Sequence, residues 1–173
     1  MARKTRDDLL RELSRASARD AVPCLAGWDL RGADLSGLNL HGVNLESSIL
    51  RCTNLAGTDL SNANITSSDL IKAHLTGADL RGADLTDSSL GCADLTGADL
   101  TGANLACAAL RHATLYPGQL LDTQGLPHSL SDDVWDHVLP EDPAARELLG
   151  ELLRDWDGTL GEAIATAESL RTA

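Results

Sequence analysis

From residue 30 to residue 115 an aliphatic side chain returns every five residues, as 17 leucines and one isoleucine, Ile65, at 18 consecutive positions. A five-residue period matches neither the 3.6 of a helix nor the 2.0 of a strand, so the segment is neither a long helix nor an ordinary sheet. The neighbours of this central residue repeat as well. Two residues before it stand ten Ala, three Ser and two Thr, and one residue before it Asp or Asn occurs 13 times. Two residues after it Gly occurs eight times. The unit reads A-(D/N)-L-x-(G/x), as in Ala78-Asp79-Leu80-Arg81-Gly82 and Ala98-Asp99-Leu100-Thr101-Gly102. Composition agrees with a core of small, regular parts. The chain has 33 leucines, no Phe, and only Trp28, Trp135, Trp156 and Tyr116 as aromatics, whereas most cores lean on large rings.

A second period of 20 overlies the first. The units centred on Leu35, Leu55, Leu75 and Leu95 end in Gly37, Gly57, Gly77 and Gly97. Those centred on Leu40, Leu60, Leu80 and Leu100 end in Gly42, Asn62, Gly82 and Gly102. Gly and Asn tolerate the positive φ of a type II turn. The other two sets end in Gly32, Cys52, Lys72, Cys92 and His112, and in Ser47, Ser67, Asp87 and Cys107. This predicts type II corners on two sides and a different turn on the other two. Asp or Asn before the centre is placed to bond the local backbone at the turn. Ser48, Ser68 and Ser88 form an inward ladder that is expected to be satisfied by its own members and the backbone.

These in-register units resemble the pentapeptide-repeat proteins over roughly residues 26–120. The resemblance implies a mainly β solenoid, a right-handed quadrilateral β-helix. Each pentapeptide forms one side of a square, four make a coil, and the centre Leu and the small residue two before it point inward. About five coils at the β spacing make a rod ~24 Å long. Some members resemble a DNA duplex in shape and charge and bind DNA gyrase or topoisomerase IV, protecting the enzyme from drugs or inhibiting it. The resemblance therefore implies a non-enzymatic protein-binding role, with topoisomerase modulation as its specific form. The corresponding acidic stripe is Asp59, Asp79 and Asp99, flanked by Asp84 and Asp94 and interrupted by Arg81.

A solenoid needs closed ends. Residues 5–20 read as a helix lying over the first coil, with Thr5 as cap, Leu9, Leu10, Leu13 and Ala16 on one face, and Pro23 as terminator. There Trp28, Leu38 and Val43 replace the usual small residues, and Tyr116-Pro117-Gly118 breaks the repeat at the far end. The expected organisation is an N-terminal capping helix over 1–22, the β-helix over 23–127 and a helical region over 128–173. In the last, Ser131 opens a short helix. Asp142-Pro143 opens a second with Leu148, Leu149, Leu152, Leu153 and Trp156 on its apolar stripe. Thr159 to Glu162 is a capping box for a third. Three apolar helices exceed what one rod end requires, and the Leu148–Trp156 stripe is the candidate homodimer contact.

Acids outnumber bases 26 to 14, for a net charge of -12, which argues against direct nucleic-acid binding. No apolar run approaches the ~18 residues of a membrane span, and the N-terminus lacks the apolar stretch of a signal peptide. Cys24, Cys52, Cys92 and Cys107 form no CxxC pair, so a cytoplasmic chain with reduced thiols is expected. Cys52 and Cys92 share a column but lie two coils apart, ~9.6 Å, beyond the reach of a disulfide. His41, His74 and His112 fall on three different sides, so neither a metal nor a cofactor site is expected, and no Ser-His-Asp grouping stands out. One side departs from the rest. Around Leu50, Leu70, Leu90 and Leu110 the consensus is poorest, and Ile49, Arg51, Ile71, Lys72 and Arg111 point outward. They form a candidate protein-contact face; the alternative role is a scaffold that holds another cytoplasmic protein through this face or through the C-terminal helices. A further alternative is an enzyme whose site, lined by Trp135, His137 and Trp156, lies between rod and helices.

Overall fold

The computed structural model describes residues 3–19, 21–125, 143, 144, 147 and 159–172. Its body is a β-helix solenoid held by parallel bridges between residues 20 apart. One column runs Asp29–Ile49–Asp69–Ser89–Ala109, the next Asp34–Asn54–His74–Asp94–Thr114. The third is Asn39–Asp59–Asp79–Asp99, and the fourth Cys24–Asn44–Asn64–Asp84–Asn104–Gln124. The four sides are named here by Leu50, Leu55, Leu60 and Leu45. Every centre residue from Leu25 to Leu110 is buried, as are the Ala, Ser and Thr two places before it from Val43 onward.

Backbone hydrogen bonding accounts for the repeat. The amide of the centre residue bonds to the next coil, as in Leu30 N–H to Ile49 O at 2.8 Å, and so does that two places on, as in Gly32 to Arg51 O at 2.9 Å. The amide before the centre bonds to the preceding coil, and the amide two before it closes the corner onto the previous centre, as in Ala33 to Leu30 O at 3.0 Å. One amide per repeat, that of the residue after the centre, stands outside this ladder. At all 13 Asp and Asn positions the side-chain oxygen takes it, from Asp29 to Arg31 N–H at 3.3 Å through Asn104 to Ala106 N–H at 3.1 Å. The Asp/Asn signature is thus a turn acceptor.

The corners correct one expectation. Positive φ is not confined to two sides. Ser47, Cys52, Asn62, Ser67, Lys72, Asp87, Cys92, Cys107 and His112 have φ of 54–60°, beside Gly corners at 61–70°. With positive φ only at the third of four residues, and the hydrogen bond across the four at every one of the nine except the Ser67 corner, these corners follow the type II pattern. The ladder forces this shape on whichever residue stands there. A left-handed non-Gly residue costs about 1–2 kcal/mol, and none of the nine is β-branched, the kind that tolerates it least.

Helix α1 spans Arg6–Ser17, shorter than expected. Thr5 and Asp8 form a capping box, and Ala18, not Pro23, ends the helix. Leu9 and Ala16 are buried, and Leu13, Trp28 and Leu38 pack against the core. Before the helix, Arg3 pairs with Asp29, Lys4 N–H reaches Asp29 O at 2.6 Å, and Lys4 Nζ lies 5.0 Å over the Trp28 ring. The Arg6 guanidinium donates to Asp34 O at 2.7 Å and Ser36 O at 3.4 Å. These are carbonyls that a preceding coil would otherwise have bonded.

At the other end the repeat breaks at Tyr116, and Pro117–Leu120 form a 3-10 turn. Gln119 fills the gap, its Nε2 donating to Leu95 O at 3.0 Å and Ala98 O at 2.6 Å while its Oε1 accepts from Tyr116 N–H at 2.6 Å. Register returns at Gln124, which bridges Asn104 and, antiparallel, Thr159. Helix α2, Leu160–Thr172, follows the expected capping box, with Thr159 N–H to Glu162 at 2.9 Å and Glu162 N–H to Thr159 Oγ1 at 3.2 Å. Gly161 N–H meets Leu121 O at 2.7 Å. A Cβ on Gly161 would stand 2.8 Å from that oxygen, so only glycine fits. Neither described helix is long and apolar enough to cross a membrane.

Candidate functional site

Two opposite sides of the solenoid differ in charge. Between residues 23 and 127 there are five bases, and four of them, Arg31, Arg51, Lys72 and Arg111, lie on the Leu50 side with only Asp29 and Asp69 as acids. The Leu60 side, across the square, carries Asp59, Asp79 and Asp99 with Arg81. The two sides between them carry Asp34 and Asp94, and Glu46, Asp84 and Asp87.

On the Leu50 side the structure brings together all five predicted contact residues. Arg51 and Ile71 stand in adjacent coils of one outward column, with Gly91 and Arg111 above them. Ile49 lies beside them in the column before the centre, and Lys72 at the corner after it. Ile49 and Ile71 are half-buried, Arg51, Lys72 and Arg111 exposed. Arg31 is gripped by Asp29 through two bonds of 2.9 and 2.7 Å, and Arg51 Nη1 lies 3.5 Å from Asp69. The Arg31 guanidinium holds the Asp29 carboxyl down at about 2, well below its usual value.

The acidic residues are placed as expected. Asp59, Asp79 and Asp99 bridge in succession, with Asp84 and Asp94 on the neighbouring sides. Their carboxylates are engaged locally. Arg81 donates to Asp79 through Nε at 2.9 Å and Nη2 at 2.5 Å, and its Nε lies 3.8 Å from Asp99. Hydrogen bonding by Arg81 holds Asp79 below its normal range, and hydrogen bonding by Thr101 and Thr96 does the same for Asp99 and Asp94.

The sequence reading missed one grouping. His41 and Ser61 are stacked 20 residues apart, with His41 Nδ1 2.8 Å from Ser61 Oγ, and Ser61 Oγ–H donates to Asp59 at 2.6 Å. The fourfold register held the signal, since both occupy the place after the centre of one side. The proton order differs from a nucleophilic triad. Ser61 Oγ–H is directed at the Asp59 carboxylate rather than at the imidazole, whereas a nucleophilic triad directs the hydroxyl at its base. The serine ladder departs from expectation. Ser68 Oγ–H donates to Leu45 O at 2.7 Å and lies 3.5 Å from Ser48 Oγ, but the buried Ser88 hydroxyl has no partner among the described residues.

All four cysteines are free and exposed. Among the described residues no group of three His, Cys, Asp or Glu side chains is gathered to hold a metal ion. Leu148, Leu149, Leu152, Leu153 and Trp156, and also Trp135 and His137, lie outside the described residues.

Comparison with known proteins agrees with the geometry. The family model for pentapeptide repeats matches residues 24–51, 39–77 and 78–115, in eight copies. Among solved structures, a pentapeptide repeat protein of the Arabidopsis thaliana thylakoid lumen is 26% identical, covering 82% of this chain and 90% of its own, with a TM-score of 0.55. One from Nostoc PCC 7120 is 28% identical over 67% of this chain and 92% of its own, with a TM-score of 0.40. QnrB1, a plasmid-mediated fluoroquinolone resistance protein, is 20% identical over 59% and 65%, with a TM-score of 0.28. No curated protein sequence matches. With over half its length matched by the repeat model and with 20-residue bridges along its body, the chain belongs to the pentapeptide repeat family.

Proposed function

We infer that the chain is a non-enzymatic, protein-binding rod whose contact face is the Leu50 side, with Ile49, Arg51, Ile71, Lys72 and Arg111. The observation that supports this is the segregation of charge. Four of five rod bases and two outward isoleucines share one side of an otherwise acidic solenoid. Arginine beside half-buried apolar side chains is the composition of a contact patch. A rigid ladder presents such a patch without reorganisation. A photo-crosslinking residue in place of Ile71 should give one discrete adduct in the producing cell, and the same residue in place of Thr66, on the Leu45 side, should give none. Equal yields from both positions, or none from Ile71, would sink this reading.

Topoisomerase modulation is the second reading. It is favoured by the succession of Asp59, Asp79 and Asp99 with Asp84 and Asp94 on the adjoining sides, which spreads negative charge over three sides of the rod. Its test is a DNA gyrase supercoiling assay with and without a quinolone. No change at micromolar chain removes it.

The architecture that goes with either reading is a right-handed rod of about five coils over 23–127, with the helix within 1–22 as its cap; the homodimer contact expected of Leu148, Leu149, Leu152, Leu153 and Trp156 lies outside the described residues. The cytoplasm is the setting that four free thiols suit.

A further inference from the structure

Five repeats between Leu30 and Leu115 lack Asp or Asn before the centre, and three of the five, Ile49, Ser89 and Ala109, stack on the Leu50 side. Each replaces the oxygen that elsewhere takes the outlying amide. The amides of Arg51, Gly91 and Arg111 consequently have no acceptor among the described residues. They point outward, because at every capped corner the same amide meets an outward side-chain oxygen. Lys72 and Arg111 on this side form no ion pair among the described residues. The Leu50 side is therefore rich in donors and poor in acceptors, the reverse of the Leu60 side.

Gly91 adds shape. It is not among the glycines of positive φ, and a Cβ built on it would lie at ordinary distances, 3.6 Å from Arg111 O and 3.8 Å from Ile71 Cγ1. The backbone does not require glycine there. What the missing side chain leaves is a notch between Ile71 and Arg111, beside the free Gly91 amide.

We propose that the notch and amide row of the Leu50 side seat an acidic segment of a partner protein, whose Asp or Glu oxygens take the Gly91 and Arg111 amides that the chain itself leaves uncapped. Lys72 and the Arg111 guanidinium balance the incoming charge, and Ile71 and Ile49 cover an apolar neighbour of the acid. The proposal rests on the Leu50 side being the contact face and adds the chemistry of what it contacts. Complementary charge sets both encounter rate and choice of partner. Phosphates are acceptors too, but a nucleic acid long enough to cross several coils would meet a chain of net charge -12 whose other sides are acidic.

The test is titration of the intact, nitrogen-15-labelled chain with a synthetic peptide of alternating Glu and Leu, compared with a Lys-Leu peptide and an oligo-dT strand. The expected result is a shift of the Arg51, Lys72, Gly91 and Arg111 amide resonances with the Glu-Leu peptide alone, weakening as salt is added. Ser89→Asn with Ala109→Asn restores the missing turn acceptors. It should weaken binding at least tenfold while leaving the melting temperature equal or higher, and Gly91→Leu should weaken binding by filling the notch. Overturning results are no shift on this side, equal binding by the Asn variant, or tighter binding of oligo-dT. An Ile71 crosslink that persists at full yield in the Asn variant would refute this partner chemistry and leave the contact face standing. Absence of the Ile71 crosslink in the chain without the Asn substitutions would remove the contact face itself.

Discussion

Each corner residue is governed by the ladder before its own preference. Lys72 and Asp87 accept a left-handed backbone because coils above and below fix the corner. Ser67→Val and Gly77→Val should therefore both destabilise, each by about 1–3 kcal/mol, since a β-branched side chain enters positive φ in either case. Ser67→Gly should shift stability by less than ~1 kcal/mol, because relief of the left-handed strain is offset by the entropy of glycine in the unfolded chain. Urea midpoints check this, and a Ser67→Val variant as stable as the parent would show that the Ser67 corner is not left-handed. Sequence alone could not reveal it. Glycine marks a positive φ when present, but nothing marks one that a serine or cysteine is forced to adopt. The inward columns were legible, because burial selects Leu at every fifth position, with Ile65 in one place, and Ala, Ser or Thr two places before it once the first coil is passed. Ser88 offers a sharper case. Its hydroxyl is buried and unpartnered among the described residues, so Ser88→Ala removes a desolvation cost and should be neutral or stabilising by about 1 kcal/mol. Ser68→Ala, which loses the bond to Leu45 O, should destabilise. If Ser88→Ala melts lower than the parent, the hydroxyl has a partner after all.

At the level of elements, the residues before the first coil show how side chains and a short extended segment bond an open β edge. Helix α1 was legible from Thr5, whose side-chain chemistry is local, and from the apolar face of Leu9, Leu13 and Ala16. Its end was not, because Ala18 carries no stop signal and Pro23 lies five residues beyond. Less legible still was Arg6, whose partners Asp34 O and Ser36 O lie 28 and 30 residues away. Its guanidinium stands in for the amides of a missing coil. Arg6→Ala should cost about 1–2 kcal/mol, the net worth of charge-assisted hydrogen bonds to backbone carbonyls. It should also raise self-association by exposing edge acceptors. Arg6→Lys should recover only part, since an ammonium cannot span two carbonyls as the planar fork does. Thermal melting and light scattering read both effects. A parent-like melt for Arg6→Ala would show that the helix seats on Leu9 and Ala16 alone. The candidate face was legible for the same reason that Arg6 was not. Its residues recur at a spacing of 20, and the departure from Asp or Asn shows in the sequence, whereas the free amides behind it follow only from the bonding pattern.

Over the whole molecule the acids act mainly through the turns they hold. Asp8, Asp29, Asp34, Asp79, Asp94 and Asp99 all titrate below the ordinary carboxylate value of 3.8, with Asp29 lowered to about 2. The causes are hydrogen bonds from residues close in the chain, Thr5, Arg31, Ser36, Arg81, Thr96 and Thr101. In the unfolded chain those bonds are gone, and the same groups take up protons near 3.8. As pH falls through that value the unfolded state binds protons before the folded one, so stability falls with pH. The contribution is complete above the unfolded value and is lost progressively toward pH 2. Because the groups are spread over the helix and three sides of the rod, the loss should appear as one cooperative weakening of the whole solenoid. Urea midpoints measured from pH 5 to pH 2.5 should fall steadily below pH 4. Asp29→Asn keeps a side-chain oxygen for the Arg31 amide but has no titrating group, so its midpoint should start lower at pH 5, for want of the Arg31 ion pair, and fall less steeply. Parallel curves for parent and Asp29→Asn, or a parent midpoint that does not move across this range, would show that the turn carboxylates do not hold the fold together.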